Sequence, residues 1–547
     1  MRYKLGLPGD LITVRAASLA AMLMLLSASP VILADALSKD TSAWWGHISV
    51  LASDQFQGRL TGSSGYQQAA AYVADRFKQF GLAPAGENGY FQPVGYVVQT
   101  VMPDRSTVSL VREKETERLS VGDDLVLSTS TEQRPSAAGP LVFAGYGIHL
   151  PEAAYDDFKE LPVKGAIVVV LVGGPETLSG AQRAHAYAES LPHYLEAAGA
   201  IGVVTLFNPK DREVPWARVK AASVQPGMLL EETKLRRYQH PIFSANFNEA
   251  VADKLFQDSG HTFSELTALA DAHRPLPRFT LKRDLEAHVV TEISHTRADN
   301  VVARLAGDDA RMSQETVVLS AHLDHLGTGT PDHGDGIFHG AMDDASGVAS
   351  LLEVARALVQ KPENHPRRSV LFVAVSGEEK GLLGSRYFAA HPTAHAGTIV
   401  ADINVDMFLP LYPLKRIVAY GAEESSLGED ARAVGTQLGI ELAPDPMPDH
   451  LVFVRSDQYS FIRKGVPALM PAMTPRPGTA ETEIFQAWLS NRYHAQADDL
   501  SQPVDLAGAD AFNAFLIKLI TRVADAPSRP SWHKTSFFAR FADTPLP

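Results

Sequence analysis

Apolar positions recur along this chain in two rhythms. Continuous apolar, β-branched runs at Thr316–Ser320, Val370–Val375 and Ile399–Val405 read as buried strands. Between the first two lies a stripe with helical spacing, Val348, Leu351, Leu352, Ala355, Leu358 and Val359. Strands alternating with helices from Asn300 onward predict a largely parallel α/β sheet flanked by helices. Near the start, residues 41–52 read as a helix and Ser53–Gly65, with Gly58, Gly62 and Gly65, as a loop. A second helix runs over Gln67–Phe80, with Gly81 closing it and Pro84 beyond.

The middle of the chain breaks this pattern. Residues 95–135 mix short β-rich runs with charged turns, and a separate module begins near Gly139. There Leu141-Val142-Phe143 and Ala166–Val172 predict strands, and His193–Ala200 predicts a helix running into Ile201–Val204. At the amino end, Arg2, Lys4 and Arg15 precede an apolar run from Ala16 to Ala34 and the small-x-small triplet Ala34-Asp35-Ala36. This is the pattern of a secretory signal peptide. No later run approaches the ~20 apolar residues needed to span a bilayer. Pro527, Pro530, Pro545 and Pro547 mark the tail as a surface extension. The expected division is a signal peptide (1–36), the first part of one domain (37–135), an inserted module (136–275), the rest of the domain (276–525) and an extension (526–547).

Charge and cysteine count narrow the function. The net charge is −14 with no block of Lys or Arg, which argues against nucleic acid as a partner. The chain has no cysteine, which excludes disulfides, zinc–thiolate sites and a thiol nucleophile.

The chemistry lies between residues 322 and 494. His322, Asp343, Glu379, Asp406 and His494 each sit beside an apolar run or a glycine-bearing turn. Two imidazoles and three carboxylates suffice for a pair of divalent cations if one carboxylate bridges them. Asp324 lies two residues after His322, on the same side of an extended chain, where its carboxylate could accept the second imidazole N–H. Glycines in Gly340-Ala341-Met342-Asp343-Asp344-Ala345-Ser346-Gly347 allow a tight turn that presses a carboxylate inward, while Asp344 or Ser346 could cap the following helix. Glu378 and Glu379 follow a buried strand, an expensive place for two charges unless a metal takes one and proton transfer occupies the other. His325, His333 and His339 read as loop or pocket residues rather than ligands.

In this order and combination the motifs resemble the M28 family of co-catalytic metallopeptidases, which includes secreted bacterial aminopeptidases. The resemblance takes in the His322–Asp324 pair, the turn around Asp343, the stretch Gly377–Ser385, Asp406, Tyr493-His494 and the early segment Leu51-Ala52-Ser53-Asp54 with Gly58-Arg59 and Gly62. Ala144-Gly145-Tyr146-Gly147 and Ala197–Val203 resemble the protease-associated (PA) domain inserted in many members. The resemblance implies a zinc-peptidase-like fold with an inserted PA-type domain. It implies two divalent ions, zinc first, bridged by Asp343. His322 and Asp406 would complete one site, and Glu379 and His494 the other. Glu378 would be the general base, Asp324 the partner of His322, Tyr493 a group steadying the tetrahedral intermediate, and the Asp343–Asp344 peptide would be cis. A water or hydroxide held between the metals would attack the scissile bond.

The activity so implied is an exported exopeptidase, periplasmic or secreted, most directly an aminopeptidase acting on peptides and free of the membrane once the signal is removed. A carboxypeptidase or dipeptidase, a single-zinc enzyme similar to glutaminyl cyclases, and a receptor-like relative without activity are the alternatives. Side-chain preference and oligomeric state stay open at this level.

Overall fold

The computed structural model describes residues 43–212, 214–331, 334–360, 365–447 and 452–542. The signal-peptide expectation and His333 fall outside them. The chain builds two large sheets. The first contains four neighbouring parallel strands in the order Ser369–Val375, Glu315–His322, Thr398–Asn404 and Ala468–Met473. Antiparallel strands extend both sides. Thr291–Leu305 and Phe91–Val101 lie on one side, and Arg416–Tyr420 lies on the other.

The central strands are continuous apolar runs because both faces are covered. Val317, Leu319, Ala321, Val370, Phe372 and Ala374 pack into one core, with Val73 and Phe77 of helix Ser64–Phe80 and Leu351 and Leu352 of helix Ser346–Gln360. The alternate residues Val318, Leu371, Val373 and Val375 pack into another, with Phe388 and Phe461. This two-residue alternation sends successive side chains to opposite faces. Helix Ser64–Phe80 starts where the Ser63 hydroxyl accepts the Tyr66 N–H and stops at Gly81, whose φ of 86° suits a residue without a Cβ. The predicted alternation of strand and helix is therefore observed, in a mixed sheet whose parallel part carries the site.

The second sheet takes eight strands from Thr107–Arg112 to Arg278–His288. It is wider than the 136–275 span expected of the inserted module. Strands Thr107–Arg112, Glu115–Leu119, Leu125–Leu127 and Arg278–His288 lie outside that span, the first two forming an antiparallel edge hairpin. Strand Gly227–Leu230 leaves the module and pairs with Phe91–Val101 of the first sheet, tying the two together.

The tail is not a mere surface extension. Phe538 is fully buried against Val454, Tyr459 and Ile462, with Ala184 of the inserted module in the same cluster. Trp532 Nε1 donates to the Gly465 carbonyl at 2.9 Å, and Arg540 pairs with Glu152. Trp532, Phe537, Phe538 and Phe541 form an aromatic cluster that joins the tail to Ala184 of the inserted module and to Val454, Tyr459 and Ile462.

Candidate active site

Three parallel strands deliver the site from their carboxyl ends. His322 closes strand Glu315–His322, Glu378 and Glu379 follow strand Ser369–Val375, and Asp406 follows strand Thr398–Asn404. Ligand sites form at this edge of open α/β sheets because the loops diverge there. Asp343 arrives from the turn before helix Ser346–Gln360, through a cis Asp343–Asp344 peptide. His494 comes from the loop after helix Ala480–Asn491, in the left-handed region at φ 51°.

The spacing of these groups is informative. His322 Nε2 lies 3.2 Å from Asp343 Oδ1 and 3.5 Å from Asp406 Oδ1. His494 Nε2 lies 3.3 Å from Asp343 Oδ2 and 3.2 Å from Glu379 Oε2. A direct charge-assisted N–H···O bond would be ~2.7–2.9 Å. Donors at ~2.1 Å around a tetrahedral ion stand ~3.4 Å apart. The four separations match the second figure. Asp343 Oδ2 is buried and makes no well-aligned hydrogen bond. The two oxygens of Asp343 thus face two separate donor pairs, and the donor chemistry, imidazole with carboxylate, suits zinc.

Two neighbours compete for ligand roles on proximity alone. Asp344 lies within reach of His322 and Asp406. Its oxygens are already taken by backbone: Oδ1 accepts from Gly347 N at 2.9 Å and Met407 N at 3.3 Å, and Oδ2 from His322 N at 3.3 Å. His325 lies within reach of Asp343 and Glu379. Its Nδ1 is 2.7 Å from Glu379 Oε1, the length of a direct hydrogen bond. These two residues orient the donors rather than join them.

The electrostatics follow from crowding carboxylates around two rings. Burial opposes a charge on His494, but Glu379 and Asp343 outweigh it and push the ring up to about 10. His322 is likewise held well above the usual imidazole range, burial being overcome by Glu378, Asp343 and Asp406. Glu378 keeps part of its surface open but is hemmed in by protein. That desolvation drives its carboxyl well above the carboxylate range; His322 pulls it back while Asp406 and Glu379 add to the rise.

Asp324 departs from its expected contact. The partner of His322 Nδ1, at 3.1 Å, is the Asp324 backbone carbonyl, not its carboxylate. The carboxylate instead accepts from Thr61 Oγ1 at 2.9 Å and from Glu378 N at 3.1 Å. The strand bends after His322, so the carbonyl rather than the side chain turns back to the ring, and Asp324 fixes the backbone of Glu378. Tyr493 stacks on His494 with ring centroids 4.0 Å apart.

Two supports were not assigned from the sequence. Asp498 accepts from Met342 N and Asp343 N, both at 3.0 Å, and from Gln502 Nε2 at 2.5 Å, holding the bridging turn in place. Arg59 is fully buried and donates to the carbonyls of Leu51, Leu323, His339 and Gly340. The early Gly58-Arg59 motif was its only signal.

The fold is a mixed α/β sheet flanked by helices that gathers imidazole and carboxylate groups able to hold metal at its carboxyl edge. Residues 300–520 match Peptidase family M28. It is similar to a probable leucine aminopeptidase 2 of Aspergillus oryzae, 28% identical over 265 residues that make up 45% of this chain and 49% of the relative. A probable zinc metalloprotease of Leptosphaeria maculans is 33% identical over 111 residues, 20% of this chain and 24% of that one. The chain spans about half or less of the length of these curated relatives. Its fold is that of an aminopeptidase from Aneurinibacillus sp. strain AM-1, with a TM-score of 0.51, 17% identity, and coverage of 89% of this chain and 95% of the other. Among the described residues no helix is long and apolar enough to cross a membrane.

Proposed function

We propose that the protein is an exported zinc-dependent aminopeptidase working with two ions. The observation that carries this reading is Asp343, whose two carboxylate oxygens stand at tetrahedral-ligand spacing from two different donor pairs. His322, Asp406 and Asp343 Oδ1 would hold one ion; Glu379, His494 and Asp343 Oδ2 would hold the other. When bound, such a pair supplies Lewis acidity toward a carbonyl and acidifies water.

The chain's own groups account for the proton traffic. Glu378, set beside both donor pairs, takes a proton from the attacking water and passes it to the leaving amine. The crowding that raises its carboxyl makes it a better acceptor than a free glutamate. Asp324 holds Glu378 through its backbone N–H, and the Asp324 carbonyl keeps His322 Nε2 turned toward the site. Tyr493, whose ring packs on His494, is assigned the role of steadying an oxyanion on the strength of the family resemblance.

Peptide substrates with a free amino end are favoured because similar proteins are described as aminopeptidases. The second sheet module is read as a PA-type insertion, and the amino-terminal basic and apolar pattern as an export signal. The test is hydrolysis of aminoacyl-p-nitroanilides against their N-acetylated forms, with a chelator control. Chelator-sensitive cleavage of only the free-amine substrates is expected. Cleavage confined to peptides with a free carboxyl end would make it a carboxypeptidase, and a stoichiometry of one ion would favour the cyclase-like alternative.

A further inference from the structure

A side chain of the inserted module reaches the loop that carries His494. Helix Trp216–Ser223 belongs to the segment between strands Gly202–Leu206 and Gly227–Leu230. It is fastened to the second sheet's side of the molecule: Trp216 Nε1 donates to the Gly122 carbonyl at 3.1 Å, and Lys220 pairs with Asp123. Immediately after it, strand Gly227–Leu230 pairs into the first sheet. The helix is therefore a bracket held at both ends.

From this bracket Arg218 extends to the first domain. Its Nη1 lies 2.8 Å from the Tyr493 carbonyl and its Nη2 2.5 Å from the Ser490 carbonyl. Among the described residues no carboxylate pairs with it. Ser490 lies in the last turn of helix Ala480–Asn491, where carbonyls lack intrahelical partners and a cation is favoured. Tyr493 directly precedes His494, a non-glycine residue in the left-handed region. One guanidinium thus closes the end of the helix and pins the peptide that carries the imidazole.

We infer that Arg218 is a positioning residue for His494, so that the inserted module completes the second ion site and does more than frame the cleft. The inference rests on the two-ion reading above. Without Arg218 the His494 loop keeps its sequence but loses its two-point restraint, and the ring no longer waits at ligand distance from Glu379 and Asp343. Among the described residues the other donor pair, His322 with Asp406, makes no hydrogen bond or ion pair with this bracket, and it is left intact.

The test is titration of the metal-stripped full chain with Co(II), followed by absorption and calorimetry, for wild type, Arg218→Ala and Arg218→Lys. Arg218→Ala is expected to bind one ion as wild type does and the other ~10–100-fold more weakly, the usual effect of losing an orienting partner. Arg218→Lys, which retains a cationic donor, is expected to recover part of the loss. Two ions bound with unchanged affinity and spectrum in a folded Arg218→Ala chain would overturn this inference alone. Equal weakening of both ions would also overturn it, since that marks general destabilisation. Wild type binding a single ion would overturn the two-ion reading itself, and this inference with it.

Discussion

His325 and Glu379 form the shortest contact in the donor cluster: Nδ1 of the ring stands 2.7 Å from Oε1, while the other oxygen, Oε2, faces His494 at 3.2 Å. The pairing divides the labour of one carboxylate, one oxygen for orientation and one for an ion. His325 is fully buried beside Gly340, where φ is 57° and an added Cβ would come within 2.2 Å of the Asp343 carbonyl oxygen and 2.6 Å of the His325 ring. His325→Ala should leave the fold intact but weaken one of the two ions by ~10–100-fold. Competition with a chromophoric chelator measures this, and unchanged zinc affinity would remove His325 from the site.

Glu378 is adjacent to a donor but is not itself placed at ligand spacing from either histidine. Glu378→Gln is therefore expected to retain both ions and the melting temperature while kcat falls by ~10²–10⁴, the contribution typical of a general base. Metal analysis beside steady-state kinetics decides it. A variant with wild-type turnover would rule Glu378 out as the base.

His322, Glu379 and Asp406 were legible in the sequence because each follows an apolar strand, where a polar ligand is conspicuous, whereas Asp343 stood out only by its glycine-bearing turn and His494, after a polar stretch, mainly by the family resemblance. The strands were legible because two-sided burial demands uninterrupted Val, Leu and Phe. The supports were hidden for a physical reason. Arg59 acts on backbone carbonyls, which no residue type encodes, and Asp498 acts on backbone N–H groups of a turn far away in sequence. Asp324 was identified as a partner of His322, but the contact uses its carbonyl, a choice set by the local bend. The stretch Thr107–Leu119 reads as short β-rich runs among charged turns, but its place in the second sheet depends on pairing with strand Arg278–His288, far along the chain. In the tail the prolines drew attention away from Trp532, Phe537, Phe538 and Phe541.

Arg59 carries a buried charge satisfied by four carbonyls from three stretches of chain. Burial lowers its pKa, and the carboxylates of Asp498 and Asp343 oppose that, so the guanidinium also offsets the negative cluster beneath the site. Arg59→Met removes both functions and leaves carbonyls without partners. A loss of about 3–5 kcal/mol is expected in denaturant unfolding, in line with breaking a buried charged network. A loss under about 1 kcal/mol would show that water replaces the guanidinium without penalty.

Asp157 gives the inserted module a pH dependence. Its carboxylate accepts from Tyr146 N and Ile148 N, at 3.2 and 3.1 Å, yet burial pushes it up to about 7. An unfolded aspartate releases its proton near pH ~3.9. Between those values the folded chain binds more protons than the unfolded one, so this group's contribution makes stability fall as pH rises from ~4 to about 7 and level off above. The span corresponds to on the order of 4 kcal/mol. Asp157→Asn keeps an acceptor oxygen and removes the titration, so its stability relative to wild type should grow between pH 5 and 7.5. Melting curves of the two proteins that shift in parallel over that range would contradict the assignment.

Phe538 tests whether the tail is structural. The ring is fully buried, edge-on to Phe453 at 5.4 Å between centroids and to Tyr459 at 6.5 Å. His185 of the inserted module packs on the neighbouring Phe537 and Phe541 and hydrogen-bonds the Tyr459 hydroxyl at 2.8 Å. The aromatic cluster therefore joins three parts of the chain, and a cavity there would loosen the inserted module as well as the tail. Phe538→Ala should cost about 3–5 kcal/mol, the usual range for removing a buried phenylalanine. It should also increase amide exchange in the helix Gly180–His185, whose Ala184 shares the cluster with Phe538. Exchange confined to residues after 526 would mean that the tail is held by the first domain alone, and that the module's position is set by strand Gly227–Leu230 and Arg218 without it.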